Sequence, residues 1–176
     1  MFQASAIAAD DKRRFYIDLD QQLAGLLAGE RDFIANAANF SALLFLILPD
    51  LNWAGFYLMR GNDLLLGPFQ GKPACMRIPV LPAPRGVCGA AAFHRQTQLV
   101  GNVHDFPGHI ACDSASNSEI VVPLIVSAIA EGKAEEKVIG VLDIDSPLLN
   151  RFDAGDKIGI EQMVRTFLDL TDLPTM

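Results

Sequence analysis

Hydrophobic and polar positions change period along this chain. Between residues 11 and 27, Phe15, Leu19 and Leu23 recur every four residues and Leu26 extends the stripe, the spacing of one apolar helix face. Residues 32–48 are richer in apolar side chains, which predicts a second, more buried helix that ends at Pro49-Asp50. The period then drops to two. Over residues 53–59 the alternation places Trp53, Gly55, Tyr57 and Met59 on one face of a strand. Arg60-Gly61-Asn62-Asp63 predicts a hairpin turn into a strand over 64–67, followed by a strand over 76–80, a short helix over 86–95 and a short strand over 98–103. Two β-rich runs, 119–128 and 137–145, are joined by a charged connection at 130–136. Asp153 caps a last helix in which Ile158, Met163, Phe167 and Leu170 face the core. Helical segments at about 11–48 and 153–170, around a hairpin-linked sheet at about 52–146, predict a single α+β domain.

Composition narrows the class. A chain of 176 residues buries enough surface to need no disulfide or metal staple. The net charge of −7 repels phosphate backbones, so nucleic acid is not an expected partner. No apolar run approaches the ~18 residues of a membrane span, and residues 1–14 carry no secretory pattern. A cytoplasmic protein is expected, with no membrane partner and with its cysteines as thiols at rest. The three cysteines, Cys75, Cys88 and Cys112, lack CxxC spacing. His94, His104 and His109 match no zinc pattern either, so no metal is expected. Gly86-Val87-Cys88-Gly89 is glycine-rich but is no phosphate loop.

Candidate chemistry concentrates in the run from Gly108 to Ile120, where Cys112 sits among small polar residues, His109 and Asp113. Reactive cysteines need a polar, partly open setting that stabilises a thiolate. On composition alone a reactive Cys112 and a buried loop cysteine weigh about evenly. Glu119 starts one strand. Asp143 and Asp145 stand two apart on another, so both carboxylates share a face while Leu142 and Ile144 point away. Clustered carboxylates oppose each other's ionisation, and one that stays protonated can donate a proton while the others hold an ammonium group. Trp53 and Tyr57 share a strand face; plain core packing is the commoner meaning of such a pair.

Together these residues resemble the free methionine-(R)-sulfoxide reductases, stand-alone GAF-domain enzymes. The resemblance spans residues 52–156. It is carried by Asn52-Trp53-Ala54-Gly55-Phe56-Tyr57, Gly67-Pro68-Phe69-Gln70-Gly71-Lys72, Arg85-Gly86-Val87-Cys88-Gly89, His109-Ile110-Ala111-Cys112-Asp113 running on to Glu119-Ile120-Val121, and Gly140-Val141-Leu142-Asp143-Ile144-Asp145-Ser146. It implies a GAF-like antiparallel sheet flanked by helices, a homodimer, and reduction of the R sulfoxide of free methionine. It implies Cys112 as nucleophile, Cys75 as resolving cysteine and Cys88 as a third cysteine able to act as an alternative resolver. It also implies Glu119, Asp143 and Asp145 as the acidic substrate-binding group, and Trp53 and Tyr57 as the aromatic wall of the pocket. No cofactor is implied beyond an external dithiol such as thioredoxin. The link from Cys75 to Cys88 is longer than the family's usual one, and the 130–136 connection is extended. The rival reading is a GAF-type sensor that binds a small molecule without catalysis, but the acidic pocket disfavours a phosphate-bearing ligand. A metal hydrolase is a third reading.

Overall fold

A computed structural model describes residues 2–5, 7, 11–110, 113–130 and 133–173, with 128–130 and 133–134 described through the backbone alone. The chain opens with helices α1 (Lys12–Leu27) and α2 (Phe33–Ile47). Each starts at an aspartate whose carboxylate accepts a first-turn N–H: Asp11 from Arg14 and Asp32 from Ala35, both at 2.8 Å. Strands β1 (Trp53–Arg60), β2 (Asp63–Gly71) and β3 (Arg77–Pro79) follow, then helix α3 (Gly86–His94) and strand β4 (Gln98–Val100). The long strands β5 (Ser118–Ala130) and β6 (Lys133–Ser146) lead into the final helix α4 (Ala154–Asp169).

The six strands form one antiparallel sheet in the order β3-β2-β1-β6-β5-β4. Period-two alternation separates two cores. Ala54, Phe56, Leu58, Ile120, Val122, Leu142 and Ile144 pack with α1, α2 and α4. Trp53, Tyr57, Val121 and Val141 face the other way and pack with Cys88, Ala91 and Ala92 of α3. Each helix or sheet face buries its apolar stripe against another layer, as an α+β fold requires. No helix among the described residues is long and apolar enough to cross a membrane.

Several expectations need correction. The core stripe of α1 is Tyr16, Leu19, Leu23 and Leu27, whereas Phe15 and Leu26 lie at its edge. In α4 the buried set includes Ile160, Met163, Val164 and Phe167, while Ile158 is 67% exposed. The start at Asp153, through a capping box, and the core-facing Met163, Phe167 and Leu170 are as expected, so Ile158 alone departs from the stripe. The strand expected over 98–103 stops at Val100, because Asn102 accepts from the His104 N–H and nucleates a 3-10 turn over Val103–Asp105. The charged connection over 130–136 is largely strand, since Lys133, Glu135 and Glu136 pair with β5; residues 131–132 lie outside the described part.

Candidate active site

Strand register assembles the acids. Trp53 of β1 pairs with Asp145 of β6, which pairs with Glu119 of β5; one row on, Gly55 pairs with Asp143, which pairs with Val121. Three carboxylates from two strands thus share the sheet face that α3 covers. Two glycines set α3 in place. Gly86 adopts φ +64° at the helix start, and its N–H donates to the Gly108 carbonyl at 3.0 Å. At Gly89 a Cβ would fall 2.7 Å from the carbonyl oxygen of Pro79, so only glycine lets the helix approach β3 this closely. Cys88, between them, is therefore held over the acids, with its S–H directed at Glu119 Oε1 at 3.8 Å.

A small cavity opens here, lined by Cys88, Glu119, Asp143, Asp145, His109, Asp113 and Ser116 and by apolar Ile78 and Ile110. Glu119 and Asp143 are each only 6% exposed. Burial, which penalises the charged form, pushes Asp143 up to about 6 and Glu119 well above the usual carboxylate range, with the Asp143 charge adding to the effect on Glu119. Asp145 is raised for the same two reasons. Burial likewise pushes the Cys88 thiol far up, helped by the charges of Asp143 and Glu119. The cluster thus favours an ionised Asp143 beside a protonated Glu119 near neutral pH, so one face holds both a negative charge and a proton donor.

The outer side of the cavity has the opposite electrostatics. Asp113 is held below the usual carboxylate range by the Ala115 N–H at 2.9 Å, then by Asn52 and Lys72. Its ion pair with Lys72, at 3.5 Å, joins the segment after position 112 to the segment that carries Cys75. Trp53 and Tyr57 stack with ring centres 5.7 Å apart, and Trp53 stacks on Phe69 at 5.3 Å. Both are buried, and neither lines the acid cavity. Their polar tips instead reach the 72–75 segment: Trp53 Nε1 donates to the Lys72 carbonyl at 3.2 Å and Tyr57 Oη to the Cys75 carbonyl at 3.0 Å. Burial, followed by the Asp143 charge, raises the Tyr57 phenol strongly, so it stays a donor.

In this structure Cys75 is disulfide-bonded, whereas Cys88 is a free, buried thiol. Cys112 and Ala111 lie outside the described residues. Of the residues singled out in the sequence, Cys88, Glu119, Asp143 and Asp145 meet in one cavity, with Trp53, Tyr57 and Cys75 adjoining it. Asn52 and Ser116 were not singled out. Asn52 Nδ2 donates to Ser116 Oγ at 2.9 Å and to Asp113 Oδ2 at 3.2 Å, across more than sixty positions of chain. Only the place of Asn52 at the head of the tryptophan motif hinted at it. Asn52 Oδ1, His109 Nδ1 and Asp143 Oδ1 are buried with no hydrogen-bond partner among the described residues. Buried polar atoms are nearly always paired; two of these orphans, His109 Nδ1 and Asp143 Oδ1, belong to residues that line the cavity, which suits a site that meets a polar ligand, while Asp20 Oδ1 and Asn36 Oδ1 are further orphans outside it.

Fold and site together define a GAF-type domain with a thiol and carboxylate pocket. A solved GAF domain superposes with a TM-score of 0.79 at 37% identity, covering 93% of this chain and 91% of that one. No protein-family model matches the chain. A free methionine-R-sulfoxide reductase of Escherichia coli is 53% identical over 154 residues, which is 88% of this chain and 87% of that protein. The structure of free methionine-R-sulfoxide reductase from Neisseria meningitidis in complex with its substrate superposes with a TM-score of 0.83 at 38% identity, covering 97% and 95% of the two chains. This chain belongs to the free methionine-R-sulfoxide reductase family, a family of oxidoreductases.

Proposed function

We propose that this protein reduces the R sulfoxide of free methionine and that Cys112 is the nucleophile. The observation that carries the reading is the cavity that gathers buried Glu119 and Asp143 and half-buried Asp145, all with raised proton affinity. A sulfoxide sulfur becomes electrophilic once its oxygen takes a proton. Glu119, which burial keeps protonated, supplies that proton, and Asp143 with its unpartnered Oδ1 receives the substrate ammonium. The Cys112 thiolate attacks the sulfoxide sulfur and forms a transient S–S bond; the protonated oxygen then passes to the Cys112 sulfur as that bond and the substrate S–O bond break, so the thioether methionine leaves and Cys112 becomes a sulfenic acid. The Cys75 thiol condenses with that sulfenic acid, forming a disulfide and releasing water. An external dithiol of the thioredoxin type then takes over the disulfide and restores both thiols. The disulfide-bonded state of Cys75, beside a free Cys88, supports Cys75 as the resolving residue. The hydrogen bonds from Trp53 and Tyr57 to its segment suit a cysteine that must be presented at a fixed place.

The test is methionine formation from separated epimers of the free sulfoxide with a dithiol. Cys112→Ser abolishes turnover; near-normal activity in that variant sinks the assignment. Cys75→Ser keeps one stoichiometric turnover but blocks recycling by thioredoxin. Persistent recycling there transfers the resolving role to Cys88 or to an external thiol.

A further inference from the structure

We propose that Cys88, Glu119 and Asp143 form a binding site for a thiophilic divalent cation of the Zn2+ and Cd2+ class. One ligand atom from each residue lies within 4.8 Å of the other two, and the sulfur to Glu119 oxygen separation is 3.8 Å. Ligands at the usual Zn–S and Zn–O lengths of about 2.3 and 2.0–2.2 Å stand roughly 3.5 Å apart around a tetrahedral ion, so small rotamer changes complete the set. The donors sit on rigid elements: the two carboxylates on neighbouring strands, the thiol on a helix that Gly89 seats against β3. They are 4%, 6% and 6% exposed, and Asp143 Oδ1 lines the cavity with no hydrogen-bond partner among the described residues.

The thiol distinguishes this site from an ammonium pocket. Carboxylates suffice to hold a substrate amine, and sulfur adds nothing to that task. A mixed sulfur and oxygen set favours borderline-soft cations and disfavours Mg2+ and Ca2+, which require six or more oxygen ligands. Once Cys88 and Glu119 give up their protons to an incoming ion, the two carboxylates and the thiolate present three negative charges to it, and no Lys or Arg among the described residues pairs with the two acids. A divalent ion offsets those charges as it displaces the two protons. The filled site takes the acids away from substrate, so the cation competes with free methionine sulfoxide. That competition rests on the reductase reading, whereas the binding itself does not.

The binding test requires no turnover. Cys75→Ser combined with Cys112→Ser leaves Cys88 as the sole cysteine of the chain. Titration of this protein with CdCl2 is expected to raise the ultraviolet cadmium–thiolate charge-transfer band to one equivalent. ZnCl2 displaces the band, and MgCl2 or CaCl2 at the same concentration does not. On that background Asp143→Asn and Glu119→Gln each weaken cadmium binding by about tenfold or more. Asp113→Asn, in the same cavity but outside the triad, leaves it unchanged. Circular dichroism of each variant separates lost binding from lost fold, and either acid variant alone decides the question. Absence of the band overturns the proposal. So does an affinity that is the same with and without the two carboxylates, which is the behaviour of a lone thiol.

Discussion

The two faces of the sheet are built from alternate residues of the same strands, yet they obey different rules. On the three-helix face Phe33, Phe40, Phe56 and Phe167 interlock, with ring centres from 5.1 Å (Phe56 and Phe167) to 6.4 Å (Phe33 and Phe56). The buried acid on that side, Asp156, is fully compensated by Lys12, Arg151 and the Tyr16 hydroxyl. On the α3 face, Glu119 and Asp143 are buried, and among the described residues they have no ion pair and Asp143 Oδ1 has no hydrogen bond. One face converts burial into stability; the other converts it into shifted proton affinity. The difference teaches that the site is an energetic load carried by the opposite core.

The strongest way to break this comparison is to weaken the carrying side. Phe167→Ala removes a ring that contacts three others and is itself fully buried. It is expected to cost about 3–5 kcal/mol, read as a lower midpoint in denaturant at neutral pH. A loss under ~1 kcal/mol would show that the helix-side core is not where the stability resides.

The second effect is of opposite sign. Asp143 ionises in the unfolded chain near 3.8 but in the fold only at about 6. Between these values the folded state binds more protons than the unfolded state, so stability falls as pH rises from about 4 to about 6 and stays lower above. Asp143→Asn removes that decline. It is expected to be more stable than the parent at pH 7, by up to about 3 kcal/mol, and indistinguishable from it well below pH 4. Glu119 and Asp145 act in the same direction, so part of the slope survives the substitution. The same variant loses the charge proposed to receive the ammonium, so its KM for the sulfoxide rises steeply. A variant less stable at pH 7 would mean that Asp143 is compensated in the fold after all.

How much of this was legible in the sequence follows from the same division. The helix cap at Asp153 and the strand parity of Trp53, Tyr57, Asp143 and Asp145 depend on neighbours a few residues away, and they could be read directly. The end of β4 was misjudged by three positions, because the Asn102 side chain competes with strand pairing, and in α4 only Ile158 was wrongly placed on the core face. In the site, the acids were visible as a breach of an apolar strand. The contact of Cys88 with Glu119, the Lys72 to Asp113 ion pair and the Asn52 to Ser116 bond join segments 31 to 64 positions apart. No local pattern encodes such distances; only the register of β1, β5 and β6 does. The resemblance carried the roles of the cysteines, which spacing alone left open.

The smallest effect tests the compensated side. Asp153 Oδ1 accepts from the Gly155 and Asp156 N–H groups at 2.8 and 3.2 Å, and Asp156 Oδ2 accepts from the Asp153 N–H at 2.8 Å in return. The Lys12 ammonium beside it, together with those N–H donors, holds the Asp153 carboxyl at about 2. Its folded value lies below its unfolded one, so its contribution is present above pH ~4 and is lost as pH falls through about 2, the reverse of Asp143. Asp153→Ala is expected to cost about 1 kcal/mol at pH 7, the usual worth of an N-cap. Asp153→Asn, a cap without charge, retains most of that, because an exposed ion pair to Lys12 contributes little. Denaturant midpoints of the two variants across pH 2–7 check the contrast. If Asn fares no better than Ala, the charge rather than the cap holds α4 to α1, and the helix face depends on electrostatics as much as the site does.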